Sequence, residues 1–243
     1  MRRFLFCLSA VALVAGLIAP RQASAQQSSN FFVGGFIPRS PDLAGGVVSG
    51  PGGRGANDVL VRNGDFLTFD TKDFNGPTVG AGWTVGLADL FDAGIDVGFY
   101  QRTSPAVFTR FTHPDHSEIE QDLKLRIVPV TATIRFLPLG HHGPARPYIG
   151  GGVGIFAWRY SEVGEFVDLS DNSTFRDTFV EKHVDTGPVI LGGITAPVGS
   201  GLVGFEARYQ SAKGTLPGPP TGFAGNEINL GGMNYLFTFG FRF

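Results

Sequence analysis

The final stretch of the chain, Tyr235-Leu-Phe-Thr-Phe-Gly-Phe-Arg-Phe243, restricts what it can fold into more than any other. Side chains of a strand point alternately to its two faces, so Tyr235, Phe237, Phe239, Phe241 and Phe243 share one face. Thr238, Gly240 and Arg242 share the other. In water, such a row of rings would have to be covered by a second layer. A strand that crosses a membrane can present them to lipid and end in an aromatic girdle.

The opposite end of the sequence agrees with export. Arg2 and Arg3 precede a continuous apolar run over 4–18, and Ala23-Ser24-Ala25 followed by Gln26 is a small-x-small cleavage site. The run is shorter than the ~20 residues a spanning helix needs. Residues 1–25 therefore read as a cleavable signal for general secretion, and 26–243 as one β-barrel domain. The one cysteine, Cys7, leaves with the signal, so no disulfide or thiolate metal site is expected. The formal charge of −2 gives no reason to expect nucleic acid as a partner. After residue 25 there is no apolar run long enough for a helical span, while mean hydropathy is +0.10. A barrel hides its apolar residues at every second position and averages in this way.

Alternation and turn residues divide the chain into eight segments: 30–38, 77–89, 93–104, 121–138, 147–161, 180–197, 201–214 and 227–243. The connections 90–92, 139–146 and 198–200 are short, whereas 39–76, 105–120, 162–179 and 215–226 are long. Short turns at one rim and long loops at the other fit a closed antiparallel up-and-down transmembrane barrel of eight strands. Within 39–76, two apolar arms flank Asn63-Gly64, a hairpin signal. They are expected to form a hairpin in the first external loop, with a ten-stranded barrel as the alternative.

An Arg or Lys facing lipid at the midplane costs about 2–4 kcal/mol, and this cost assigns the faces. In the second segment Val79, Ala81, Trp83, Val85 and Leu87 face out; in the third, Ile95, Val97 and Phe99. In the seventh, Val203, Phe205, Ala207 and Tyr209 face out. Polar residues of opposite parity face in, and the lumen is expected to hold ion pairs among Asp96, Arg102, Asp122, Lys124, Arg126, Arg135, Glu206, Arg208 and Arg242. In the fourth segment the apolar parity switches at Val128-Pro129, which predicts a bulge there.

Candidate chemistry is sparse. His113-Pro-Asp-His116 offers two imidazoles in a loop, but proline prevents a helix from aligning them, so a metal is not expected. His141-His142 lies in a predicted turn. His183 and Asp185 share a face near Ser161 and Ser211, yet no nucleophile motif accompanies them, and the chain is expected not to be an enzyme. Gly150 to Gly154 sit inside a strand with no following helix, so they form no phosphate loop. No cofactor is expected.

The export signal, the Pro147-Tyr-Ile-Gly-Gly-Gly-Val-Gly strand and the terminal aromatic strand resemble those of the OmpA-like outer-membrane β-barrels, in the form without a peptidoglycan-binding domain. The resemblance covers the whole chain after the signal. It implies residence in the bacterial outer membrane as a monomer, with membrane lipid as its surroundings. It also implies that Tyr235, Phe237, Phe239, Phe241 and Phe243 form the signal read by the barrel assembly machinery. The expected role is structural or surface interaction through the external loops, with a narrow channel for ions or small apolar solutes as the alternative and a lipid-modifying enzyme as a lesser one.

Overall fold

The computed structural model describes residues 27–39, 57–168, 170–219 and 222–243. The expected export signal lies outside the described residues, as does most of the first expected external connection before residue 57. In chain order the elements are β1 (Gln27–Pro38), α1 (Val59–Asn63), β2 (Leu67–Thr68), a 3₁₀ turn (Thr71–Phe74), β3 (Gly76–Ala88), β4 (Phe91–Thr112), β5 (Glu118–Phe136) and β6 (Arg146–Val167). They continue with β7 (Thr174–Val198), β8 (Gly201–Gln210), β9 (Lys213–Thr215), β10 (Glu227–Asn229) and β11 (Gly232–Arg242).

Eight of these strands form one antiparallel ring in the order β4-β3-β1-β11-β8-β7-β6-β5, and β5 closes on β4. First and last strands pair from Ser28↔Arg242 to Pro38↔Gly232. Closure leaves no open edge, as hydrocarbon requires. The barrel has eight strands, not ten. Val59–Asn63 is helical, and Gly64 closes it at φ −62°, so the positive φ that an Asn-Gly hairpin turn demands is absent.

Two of the expected long loops are instead strand. β4 and β5 meet across residues 113–117, and β6 and β7 across 168–173. These four strands run 19 to 25 residues, against 10 to 13 for β1, β3, β8 and β11. A tilted strand crosses a membrane in about 9–11 residues. The β4–β7 wall therefore stands well above the bilayer.

This overturns the predicted bulge. β5 pairs with β6 without a shift from Gln121↔Gly164 to Phe136↔Ile149, and one parity faces inward throughout. Leu123, Leu125 and Ile127 are buried inside; Asp122, Lys124 and Arg126 stand outside. Above the membrane an outward charge meets water at no cost, so the apolar parity inverts while the backbone register does not. Register shifts do occur in β3 between Gly86 and Ala88, and in β4 between Val107 and Thr112.

Within the membrane the alternation is as read. Tyr235, Phe237, Phe239, Phe241 and Phe243 are exposed on the outer wall, and Leu236 between the first two is buried. Rows across β4 to β7, from Phe91–Phe136–Ile149 up to Phe99–Val128–Ala157–Val184, carry no charge on their outer face. At ~3.4 Å per residue and a tilt near 40°, they span about 20 Å, close to the apolar band of ~25 Å.

A roof closes the upper mouth. Asp58 caps α1 by accepting from the Leu60 amide at 2.9 Å, and its other oxygen accepts from the Asn229 amide of β10 at 2.9 Å. Asn57 carbonyl accepts from the Asn226 and Glu227 amides, both at 3.0 Å. At the far end of α1, the Asn63 side chain donates to Tyr160 Oη at 3.2 Å and to Glu162 Oε1 at 2.7 Å on the inner face of β6. Val59, Leu60, Leu216, Phe223, Ile228 and Leu230 fill the space beneath.

Burial pushes the Asp58 carboxyl from its ordinary 3.8 up to about 6, against the opposing pull of the Leu60 and Asn229 amides. The docked roof therefore favours the protonated acid. Its contribution is full below pH 3.8 and is lost as the pH rises through about 6. We expect amides of α1 and β10 to exchange at least roughly tenfold more slowly at pH 5 than at pH 7.5, after correction for intrinsic rates. Asp58→Asn should flatten that dependence. A variant that keeps it would remove Asp58 as the cause.

Candidate functional site: a lumen of two halves

Four of the expected lumen charges meet at mid-barrel. Asp96 comes from β4, Arg135 from β5, and Glu206 and Arg208 from β8, each at an inward position. Arg208 Nη2 lies 2.9 Å from Asp96 Oδ2 and 2.7 Å from Glu206 Oε1. Arg135 Nη2 lies 3.3 Å from Glu206 Oε2 and 3.5 Å from Asp96 Oδ2. Tyr148 Oη donates to Glu206 Oε2 at 2.8 Å, and Arg208 Nη1 donates to Thr131 Oγ1 at 3.2 Å. Two guanidinium planes finish the layer on aromatic faces, Arg135 over Tyr148 at 5.1 Å and Arg208 over Phe32 at 5.6 Å. A side chain at Gly82 would collide with the Asp96 carboxylate and Asn30, so glycine there makes room for the network.

The other expected lumen charges lie elsewhere. Lys124 and Arg126, with Asp122, stand on the outer wall above the apolar band. Arg102 points inward but joins the roof, donating from Nε to the Asp73 carbonyl at 3.0 Å beside the 3₁₀ turn. There Tyr100 Oη also donates to the Phe74 carbonyl. Arg242 is half-buried at the periplasmic end. The terminal aromatics Tyr235, Phe237, Phe239, Phe241 and Phe243 all face lipid.

Above the ion-pair layer the lumen changes character. Phe36, Tyr100, Leu123, Leu125, Ile127, Phe156, Trp158, Tyr160 and Val189 line it, all buried and continuous with the roof cluster. Sequence reasoning missed this compartment because it assigned Leu123, Leu125 and Ile127 to lipid. The signal was present: the charges alternating with them lie beyond the reach of the membrane. Below the layer is a vestibule of about 60 Å³, flanked by Thr84, Asp92, Tyr148, Thr195 and Thr238.

The β4–β5 ladder beside the apolar compartment is interrupted at Pro129. β4–β5 pairing runs to Val97↔Val130 and resumes at Tyr100↔Ile127, so Gly98 and Phe99 have no ladder partner across from Pro129 and Val128. Proline has no N–H to donate. The Pro129 ring packs on Gly98, where a Cβ would sit 3.0 Å from its Cγ.

His113, His141 and His183 each contact a single carboxylate. His113 Nε2 lies 2.8 Å from Glu165, and His116 takes φ 65° in the same tight turn. His141 Nε2 lies 2.7 Å from Asp92 at the periplasmic rim. His183 contacts Glu181 at 3.3 Å, while Asp185 accepts from Trp158 Nε1 at 2.7 Å. Among the described residues no three His, Cys, Asp or Glu side chains gather as metal ligands.

Removing one partner from a buried ion-pair network costs about 3–5 kcal/mol, because the other is left uncompensated. Arg208→Gln alone should lower stability to urea in lipid by that order. Glu206→Gln with Arg208→Gln should cost less than the sum of the single changes, since Asp96 and Arg135 still balance. Strict additivity in the cycle would show that the four groups do not act as a unit.

No protein-family model and no curated protein matches the sequence. Solved structures match in shape. OprG of Pseudomonas aeruginosa aligns over 90% of this chain and 96% of its own, at TM-score 0.54 and 13% identity. Neisserial surface protein A aligns over 90% and 97% at TM-score 0.44 and 11% identity. Outer membrane protein W of Escherichia coli aligns over 90% and 98% at TM-score 0.39 and 15% identity. Identities this low speak for fold alone, and they do not single out the OmpA-like branch. Eight closed strands, an exposed aromatic outer wall and the OprG likeness give this chain the fold of an eight-stranded transmembrane β-barrel.

Proposed function

We propose that this barrel takes small apolar solutes into its upper lumen and releases them sideways into the outer membrane, without conducting ions along its axis. The observation that carries this reading is the division of the lumen. The Asp96–Arg208–Glu206–Arg135 layer packs the centre with paired charges, which bars an apolar molecule from passing downward. The compartment above is lined by Leu125, Ile127, Phe156 and Trp158, which suit such a molecule. The ladder gap at Pro129 supports a lateral exit, because two successive pairs are missing there and β4 and β5 have fewer hydrogen bonds to break in parting. Entry requires the roof to lift from β6.

A second reading has its own observation. The β4–β7 wall projects above the membrane as continuous sheet, a rigid surface for contacts outside the cell. The role expected from sequence, surface interaction through external loops, then falls to strands instead. We propose no catalytic role: His183 and Asp185 are each held by other partners.

Entry of an apolar fluorescent dye into cells carrying the barrel separates these readings. The parent should speed dye entry over cells without it, and Pro129→Val, which restores the missing N–H, should slow entry several-fold while the barrel remains folded by its gel shift. Bilayer recordings of the parent should show no discrete ion openings. Equal dye entry with and without the barrel would leave the wall as the working part, and stable openings would make it an ion channel.

A further inference from the structure

The outer wall holds a cluster of cations at one height. Register places Gln101, Arg126, Arg159 and Lys182 directly beside one another across β4, β5, β6 and β7. Lys124 stands one outward position above Arg126, paired with Ser161. All four basic side chains are exposed, and among the described residues none has a carboxylate within ion-pair distance. Like charges directly opposite on a sheet face repel, so the row costs stability unless an anion sits among them.

Its height says which anion. The row below is Phe99–Val128–Ala157–Val184, the last of the uncharged rows that match the apolar band. The basic row thus stands where hydrocarbon gives way to headgroups on the side of the external loops. At that level a lipid-facing cation meets lipid phosphate. Gln101, Lys124, Arg126, Arg159, Ser161 and Val163 also enclose a cleft of about 230 Å³, room for a phosphate group. Asp122 lies farther up the same face, beyond Lys124, and Glu120 beyond that. Among the described residues the short wall carries no such row: Tyr209, Met233 and Ile37 stand side by side at its top, with the single cation Arg39 donating to Tyr209 Oη.

We propose that Arg126, Arg159, Lys182 and Lys124 form a site for the phosphates of an anionic glycolipid of the outer leaflet, with its acyl chains lying along Val128, Ala157 and Val184. Guanidinium groups grip phosphate through paired, charge-assisted hydrogen bonds. The site is independent of anything that passes through the lumen.

Native mass spectrometry of the barrel purified in detergent, titrated with bis-phosphorylated lipid A, tests this. The parent should retain the lipid, and Arg126→Gln/Arg159→Gln/Lys182→Gln should bind it at least about tenfold more weakly, the weight of one charge-assisted hydrogen bond. Arg126→Lys/Arg159→Lys should keep most of the affinity, and Lys213→Gln, outside the patch, all of it. Gel-shift migration confirms that each variant is folded. The proposal is overturned if the triple variant and parent bind alike, or if lipid A stripped of phosphate binds as well. It also fails if millimolar inorganic phosphate displaces the lipid completely, since the site would then read a free ion.

Discussion

Hydrocarbon tolerates neither an unpaired backbone group nor an outward charge, and water tolerates both. The rest of this barrel follows from where that boundary falls along its strands. Below it, the ring must be closed, its outer wall apolar and its lumen the refuge of every polar side chain. Above it, the same strands continue as a soluble barrel, with Leu123, Leu125 and Ile127 inside and Lys124 and Arg126 outside. Inside and outside exchange character at the membrane surface with no shift of register in β5.

That exchange determines what fills the lumen at each height. Asp96, Arg135, Glu206 and Arg208 lie at membrane depth and partner one another, Tyr148, Thr131 and the Phe32 ring. The apolar interior above them needs a cover, because it opens on water. α1 and the segment around β10 supply it with Val59, Leu60, Phe223 and Ile228. Asn63 fastens the cover to Tyr160 and Glu162, and Asp58 ties its two parts together. Floor and roof are thus two answers to one problem: a barrel this narrow is filled by side chains, and their chemistry is set by the medium outside the wall.

Strand number and the lipid face of the terminal strand were legible because period-two alternation is local and the cost of an outward charge is large. The meeting of Asp96, Arg135, Glu206 and Arg208 was legible in part for the same reason: at membrane depth those side chains have nowhere else to go. Lys124 and Arg126 misled for a physical reason, since the argument that sends charges inward lapses once a strand leaves the bilayer. Strand length was under-read as well. Tight turns at His113–Ser117 and around Asn172 lie inside stretches rich in turn residues, and sequence alone does not say that pairing continues almost to their tips. Asn63-Gly64 carried the signature of a hairpin, yet Asn63 is wholly buried, its amide committed to β6. A long-range contact overrode a local preference.

The unequal height of the two sides has a mechanical consequence. Both roof segments are rooted in connections between short strands, β1 to β3 and β8 to β11, and lean across the mouth onto the tall wall. Their roots are covalent; their far contacts on β6 are two hydrogen bonds from Asn63 and the rings of Tyr160, Phe179 and Phe223, and on β4 they are the pairing of Leu67 and Thr68 with Phe108 and Val107 and the bonds from Tyr100 and Arg102. The roof is therefore a trapdoor with its hinge line along the short rim and catches on both β4 and β6. When it swings, both catches must release, the Asn63 hydrogen bonds on β6 and the Leu67–Thr68 pairing on β4.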